Sequence, residues 1–516
     1  MALEVGAADE HAADGPSPPS SSAAQQSIGR DSPGHLRWVL PLLVVLFAGV
    51  LRFIWLPHPE RVYFDETYYA KDAAQLLVYG VEAEVRVPSD PAQGVDPTFV
   101  VHPPVGKWLI AGGIAAFGDN SLGWRVASAG TGTLLVAVTY FLGLRLFRRR
   151  GIAALAALLI AIDGLALTMS RIAMLDIFLT LFVAVGVWCL LIDRDQRWTW
   201  TRDWQADRDA STTGAFRRRL PRLPRPYLWM AGIAFGLALA SKWSALLAIA
   251  GAGLWLLASE LAWRRAVTGR WWRQPWRLIA VGIGSLVLVP LAIYLGSYVS
   301  WFANYEHTRP GVANCAKAPC SFTAGGMARG WWSEQQDIFR FHRDLEVTHT
   351  YRAPAILWPI MRRPVVYYYE SCRTDRAQSQ EPCSVPQGRV EEILGLGNPV
   401  IWWAALPVYL LLAYAAVRRR DRIAATLLVF LLAQYLPWLG PSRPLFLFYA
   451  LPLVPFMVLG LAWAAAQALR RRWLRWAPLL ATGAAVGAFL WWSPIYYGVQ
   501  ISEQAWRLRM LLPTWI

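Results

Sequence analysis

Two adjacent carboxylates, Asp65 and Glu66, lie in the stretch Val62-Tyr-Phe-Asp-Glu-Thr-Tyr-Tyr-Ala-Lys-Asp72, a few residues beyond the first long apolar run. Carboxylates at a membrane edge are costly unless paired, hydrated or used in chemistry. Neighbouring side chains on a helix point about 100° apart, so this pair is not placed to share one proton. Separate roles are expected. One carboxylate accepts a proton, which as a general base contributes roughly 10²–10⁴-fold to a rate, while the other positions a hydroxyl or a neighbour. The same spacing allows a plain helix start in which Asp65 only caps.

A set of cations accompanies them. Arg125, Arg171, Lys242 and Arg443 each stand at one end of an apolar run, on the side opposite the arginine-rich loops. Four cations converging on one face suit an anionic group such as a lipid phosphate, and interfacial anchoring is the alternative for any single one. Asp163 and Asp176 are candidate ion-pair partners for Arg171, Asp163 in a purely structural role. His102-Pro-Pro stiffens an entry into the membrane, with Lys107 about one helical turn further on. His102 and Lys107 either face a polyanionic headgroup, or Lys107 simply snorkels. Further along, His342, His349, Tyr351 and Tyr367 lie in an aromatic, polar loop suited to sugar or extended-peptide recognition, or to a lid on the membrane.

Apolar runs long enough to span a bilayer position these groups. The chain has 516 residues, 56% hydrophobic, and runs of roughly 18 or more apolar residues are the mark of spanning helices. About eleven spans are expected, near 38–56, 122–144, 152–169, 174–192, 227–241, 243–262, 278–299, 397–417, 423–439, 445–464 and 476–493. Arg145, Arg148, Arg149 and Arg150 end the second, and nine arginines between Arg194 and Arg225 follow the fourth. Every second loop is basic in this way, as cytoplasmic loops are. The net charge of +16 therefore reads as topology facing anionic lipid, and not as a nucleic-acid surface. Residues 1–34 read as a disordered cytoplasmic tail, without the features of a cleaved leader.

A polytopic all-α membrane protein follows, with two larger extracytoplasmic loops. An N-terminal module, 35–299, contains the first outer segment, 58–121, in which Tyr69, Ala73 and Leu76/Leu77 recur at helical spacing and predict an interfacial helix. The long outer loop, 300–396, precedes a C-terminal four-helix module, 397–516. Cys315, Cys320, Cys372 and Cys383 all fall in the long loop, and short spacing favours Cys315–Cys320 and Cys372–Cys383 among three connectivities. A zinc site is the rival, but no histidine shares the cysteine neighbourhoods.

Tyr63-Phe-Asp-Glu66, Val101-His-Pro-Pro-Val-Gly-Lys107, Arg171-Ile-Ala-Met-Leu-Asp176, Ser241-Lys-Trp243, Phe341-His-x6-Thr-His-x-Tyr351 and Arg363-Pro-Val-x-Tyr-Tyr-Tyr369 stand in this order. Together they resemble the motifs of the protein O-mannosyltransferases, glycosyltransferase family 39 of the GT-C class, over nearly all of 38–495. Eukaryotic members carry β-trefoil repeats in the long loop, for which this loop has no room, so the likeness is to the bacterial, actinobacterial-type branch. The resemblance implies that a polyprenyl-phosphate mannose donor gives its sugar to a serine or threonine hydroxyl of a secreted protein, in one inverting displacement at the outer face of the plasma membrane. Asp65 matches the catalytic aspartate and Glu66 the neighbour that helps hold the acceptor. Arg125 matches an arginine near the donor phosphate, with His102, Lys242 and Arg443 further donor-site groups by position.

No cofactor and no metal are expected, because arginine and lysine can neutralise the phosphate and no Gly-rich dinucleotide fingerprint occurs. The secretion channel is a possible further partner, since a hydroxyl on an emerging unfolded chain is easiest to reach. A GT-C enzyme using the same donor with a glycolipid or polysaccharide acceptor is the nearest rival. A transporter is disfavoured, because transporters place ionisable groups at midplane repeat interfaces, whereas these cluster at one edge.

Overall fold

The computed structural model of the chain describes residues 36–84, 96–210, 224–269, 275–315, 322–346, 348–372 and 385–516. The expected tail, 1–34, lies outside them, as do Cys320 and Cys383. Among the described residues, eight helices are long and apolar enough to cross a membrane, and four more are apolar but shorter.

The chain enters through α1 (Leu36–Phe53). The first outer segment holds two helices, α2 (Glu66–Tyr79) and α3 (Val105–Phe117), with a two-stranded ribbon of β1 (Ala83–Glu84) and β2 (Asp96–Pro97) between them. α2 buries Tyr69, Ala73 and Leu76, the face its periodicity predicts, and leaves Leu77 exposed. It stops at Gly80, whose φ of 71° is a left-handed conformation natural to glycine.

Asn120 caps α4 (Ser121–Phe147) by accepting from the Leu122 and Gly123 amides. α3 and α4 meet through glycines: a Cβ on Gly113 would lie 2.3 Å from the Gly123 carbonyl oxygen. α5 (Arg150–Ala161) and α6 (Gly164–Thr168) share what the sequence predicts as one span. Asp163 divides them. One of its oxygens accepts the Ala166 amide at 2.9 Å and starts α6; the other accepts the Asn398 amide at 3.1 Å and the Trp402 indole N–H at 2.8 Å. Its role is structural, but its bonds tie two modules together and do not go to Arg171.

α7 (Asp176–Ala210) packs between α4 and α8 (Pro226–Leu239). A turn at 240–244 joins α8 to α9 (Ala245–Thr268) and displays Lys242. α10 (Pro275–Ile283) and α11 (Val289–Ser297) flank one π-helical turn. The long outer loop contains α12 (Val299–Ala303), α13 (Arg309–Cys315) and α14 (Ala324–Asp344). Cys315 and Cys372 in this loop are disulfide-bonded, and Cys189 is free and buried.

A small sheet is set among the helices of this loop. β3 (Val365–Ser371) and β4 (Arg389–Gly395) pair antiparallel, with Tyr369 opposite Glu392. The run Val-Val-Tyr-Tyr-Tyr is β-branched and aromatic, a composition that fits a pleated, half-buried surface. After α15 (Pro399–Arg418), α16 (Arg422–Tyr435), α17 (Val454–Ala468) and α18 (Ala477–Tyr497), the chain adds β5 (Ile501–Ser502) to β4 and continues into α19 (Glu503–Arg507).

Two polar clusters lie along α7, one at its start and one about five turns on. At its start, Asp176 meets Lys242. Further along, Asp195 meets Arg145 and Arg148, Asp193 meets Arg225, and Glu260 on α9 meets Arg225 and Arg197. At 1.5 Å per residue, Asp176 and Asp193 are about 26 Å apart along the helix, close to the ~30 Å of a hydrocarbon core. The arginine-rich turns and the Lys242 turn thus occupy opposite ends.

The bonds of Asp163 predict its contribution. Asp163→Ala leaves two buried donors on 398 and 402 unpaired, at roughly 1–3 kcal/mol each. The variant should melt several degrees below the wild type in detergent. An unchanged melting temperature would contradict the linking role.

Candidate active site

The site is built where the chain leaves α1. Arg171, in the buried connection between α6 and α7, donates to the carbonyls of Arg52, Ile54 and Trp55 at 2.9, 2.7 and 3.0 Å. Those carbonyls lie at the α1 terminus, where the helix itself leaves acceptors unpaired. The Arg171 guanidinium also lies over the Tyr497 ring at 4.5 Å.

Arg125 continues the work one loop further. Its Nη1 donates to the carbonyls of Leu56, Pro57 and Pro59, and its Nη2 to that of Arg61. Nε and Nη2 grip the two oxygens of Glu66 at 2.8 and 2.9 Å. Glu66 also accepts the Ala173 amide at 2.9 Å and the Tyr63 amide at 3.4 Å. Both side chains are fully buried.

These bonds correct several sequence expectations. Arg125 has spent its donors on backbone and on Glu66, so it is not available to a phosphate, and Arg171 turns both of its Nη atoms to the carbonyls at the end of α1. Glu66 has spent its oxygens, so it positions a neighbour and does not hold an acceptor. Lys107 is likewise buried, 2.9 Å from Asp72 and 3.0 Å from Glu82, and fastens α3 to α2 and to the loop that follows it. Asp176 pairs with Lys242, whose Nζ is 2.9 Å from each oxygen, and not with Arg171.

Asp65 is different. It occupies the N-cap position of α2, yet its side chain makes no capping hydrogen bond, against the reading of a plain helix start. Phe64 before it has φ 51°, the left-handed region rarely used outside glycine. Edge contacts with Tyr367 at 5.0 Å and Phe448 at 5.9 Å hold it there. With Glu66 drawn inward by Arg125, Asp65 is turned toward Lys242 and Asp176. Withdrawal from water pushes its carboxyl up to about 6; Lys242 opposes that rise and Asp176 adds to it.

Beside Asp65, Lys242 lies over the Tyr449 ring at 4.8 Å and borders a cavity of about 620 Å³. Arg443, His102, His342, Trp243 and Tyr449 share its wall. Arg443 donates to Tyr449 Oη at 3.1 Å and to His342 Nδ1 at 2.9 Å. His342 Nε2 is 3.2 Å from the Val101 carbonyl, which can only accept, so Nε2 carries the proton and Nδ1 receives the arginine. Burial and then Arg443 push His342 down to about 4, which keeps it neutral.

The structure thus brings Asp65, Asp176, Lys242, His102, His342 and Arg443 together. It places His349 elsewhere, with its ring against Phe446, and Tyr351 beneath Arg363. Tyr367 is buried, its hydroxyl donating to Met169 Sδ at 2.9 Å. Tyr69 and Tyr449 were not singled out from the sequence as site residues. Tyr69 stands four residues after Asp65 on the same helical face, a signal masked by reading that face as merely apolar. Tyr449 belongs to an aromatic run that looks like an interfacial belt.

Comparison with known proteins adds the following. Residues 42–206 match the family model described as dolichyl-phosphate-mannose-protein mannosyltransferase. Residues 327–515 match that of the C-terminal four-helix region of protein O-mannosyltransferase. The polyprenol-phosphate-mannose–protein mannosyltransferase of Mycobacterium tuberculosis is 34% identical over 506 residues, covering 93% of this chain and 92% of the relative. That of Corynebacterium glutamicum is 29% identical, covering 92% of each chain. Among solved structures, the Saccharomyces cerevisiae Pmt1-Pmt2 complex bound to the sugar donor superposes with a TM-score of 0.71 at 15% identity, covering 96% of this chain and 94% of that one. ArnT from Cupriavidus metallidurans bound to undecaprenyl phosphate gives 0.53 at 16% identity, covering 89% and 76%.

Breaking a buried ion pair by removing one partner costs about 3–5 kcal/mol. Arg125→Ala and Glu66→Ala should therefore each lower the melting temperature sharply, and the double variant should cost less than their sum. Additive losses, or a wild-type melt, would show that the pair does not organise this loop.

Proposed function

We propose, from the premise that this chain belongs to the protein O-mannosyltransferase family, that it transfers mannose from a polyprenyl-phosphate carrier to serine or threonine hydroxyls of exported polypeptides. It is a multi-pass membrane enzyme with the GT-C fold. In the proposed reaction the acceptor oxygen attacks the anomeric carbon as its proton passes to Asp65. The bond from that carbon to the carrier's phosphate oxygen breaks, and its electron pair leaves on the phosphate. Configuration inverts in this single displacement.

The observation that carries this reading is the uncapped Asp65 carboxyl next to Lys242, which together with Arg443 borders the cavity. Negative charge grows on the phosphate as the bond breaks. Fixed cations in a site of low dielectric stabilise that growing charge more than the ground state. The arginine-rich turns at the opposite end of α7 support a cytoplasmic placement for themselves, and hence an extracytoplasmic Asp65 in the plasma membrane. An acceptor there is a chain that has just crossed, which makes the secretion channel a natural neighbour.

The direct test incubates purified protein with labelled polyprenyl-phosphate mannose and a peptide rich in Ser, Thr and Pro. Labelled peptide is expected; label found only in lipid would point to the glycolipid-acceptor reading. Asp65→Asn should keep carrier binding and lose roughly 10²–10⁴-fold in turnover.

The base must be ionised to work. With its carboxyl pushed up to about 6, kcat/KM should be flat above that pH and fall about tenfold per unit below it. A profile flat down to pH 4.5 would remove Asp65 from this role. Because Lys242 and Arg443 supply the positive charge, turnover should also persist in excess EDTA. Loss on chelation that magnesium restores would overturn the metal-free scheme.

A further inference from the structure

His102 is more than nine-tenths buried, lines the same cavity, and has an Nδ1 with no hydrogen-bond partner among the described residues. An unpaired buried polar atom is costly, and is explained when a ligand completes it. The imidazole is held in place by rings. It stacks on His342 at 5.3 Å and 25°, and lies 6.1 Å from Tyr69, which stands one helical turn after Asp65. A row therefore runs from Asp65 through Tyr69 and His102 to His342 and Arg443.

The position on this row decides what His102 can touch. In an inverting displacement the base and the departing phosphate stand on opposite sides of the anomeric carbon. With Asp65 as base and the phosphate at Arg443, the far end of the row, the sugar ring must lie between them. A group midway along the row meets the ring's own hydroxyls. Burial, joined by the charges of Lys242, Lys107 and Arg443, holds His102 well below its ordinary range and keeps it neutral. A neutral imidazole is a poor counter-ion for phosphate but a directional partner for a hydroxyl.

We propose that His102 reads the sugar: its Nδ1 exchanges a hydrogen bond with a ring hydroxyl of the lipid-linked hexose and so selects among hexose epimers, while Arg443 holds the phosphate. This rests on the transfer reaction proposed above, and wild-type turnover tests that reaction by itself.

The test compares wild type, His102→Asn and His102→Phe with polyprenyl-phosphate mannose, polyprenyl-phosphate glucose and singly deoxygenated mannose donors. Sugar-free polyprenyl phosphate serves as competitor, and His102→Phe keeps a ring against His342 while removing both nitrogens. In the wild type, one deoxy donor should lose about 10- to 100-fold in kcat/KM, the range of one hydrogen bond to a buried group. In His102→Phe that penalty should vanish and the mannose-to-glucose preference should shrink by a similar factor, with inhibition by polyprenyl phosphate within about twofold of wild type. His102→Asn should restore part of the preference. Equal losses for every donor, or weaker binding of the sugar-free carrier, would overturn the proposal. If both variants unfold, a wild type indifferent to every single deoxygenation would overturn it too.

Discussion

The buried pairing of Arg125 with Glu66 is the constraint on which the site depends. A guanidinium and a carboxylate withdrawn from water are tolerated only when their remaining hydrogen-bonding capacity is also met. Here it is met by carbonyls at 56, 57, 59 and 61 and by the amides of Tyr63 and Ala173. The connection from α1 to α2 has little regular structure of its own, so this network fixes its path. Adjacent helical side chains diverge by about 100°. Once Glu66 is bound inward, Asp65 is turned to the other side, where Lys242 and Asp176 stand. One carboxylate is spent on structure, and its neighbour is thereby left free for chemistry.

The buried connection between α6 and α7 supplies the counterpart. Within a few residues it provides Met169 to Tyr367, Arg171 to the end of α1, Ala173 to Glu66 and Asp176 to Lys242. The first outer segment, the long outer loop and the α8–α9 turn are thus all referenced to one short segment. An aromatic cage adds to this, Phe64 being wedged between Tyr367 and Phe448. Its left-handed backbone is the sort of strain that persists only where the surroundings over-determine it.

Much of this was legible from residue order, and the exceptions have a common cause. Apolar periodicity located the spans, because a hydrocarbon solvent leaves few other options for a buried backbone. The motif around Asp65 and the Lys242 turn were visible as polar groups at the same edge. Arg125, Arg171 and Lys107 were visible too, but their purpose was not. Whether a cation is free or saturated depends on its partners, and most of those are backbone carbonyls, which carry no signature in the sequence. The break at Asp163 was hidden for the same reason, since its partners are more than two hundred residues away. In the strand at 365–371 the same tyrosines serve as an aromatic surface and as β-forming residues, so composition alone does not separate the two.

The separation of saturated from available cations bears on how such a site can catalyse. Had every outer cation faced the cavity, the phosphate would be bound strongly before and after transfer alike, and uniform binding does not raise turnover. Instead the structural arginines are neutralised by Glu66 and by carbonyl dipoles. Lys242 shares its charge with Asp176, and Arg443 spends part of its donor set on His342 and Tyr449. What faces the cavity is therefore a moderated positive edge with carboxylates behind it. Such an arrangement gains most when negative charge moves toward it. A neutral His102 fits the same logic: in the proposed reaction it gives direction to the sugar without adding charge that would hold the spent carrier in place.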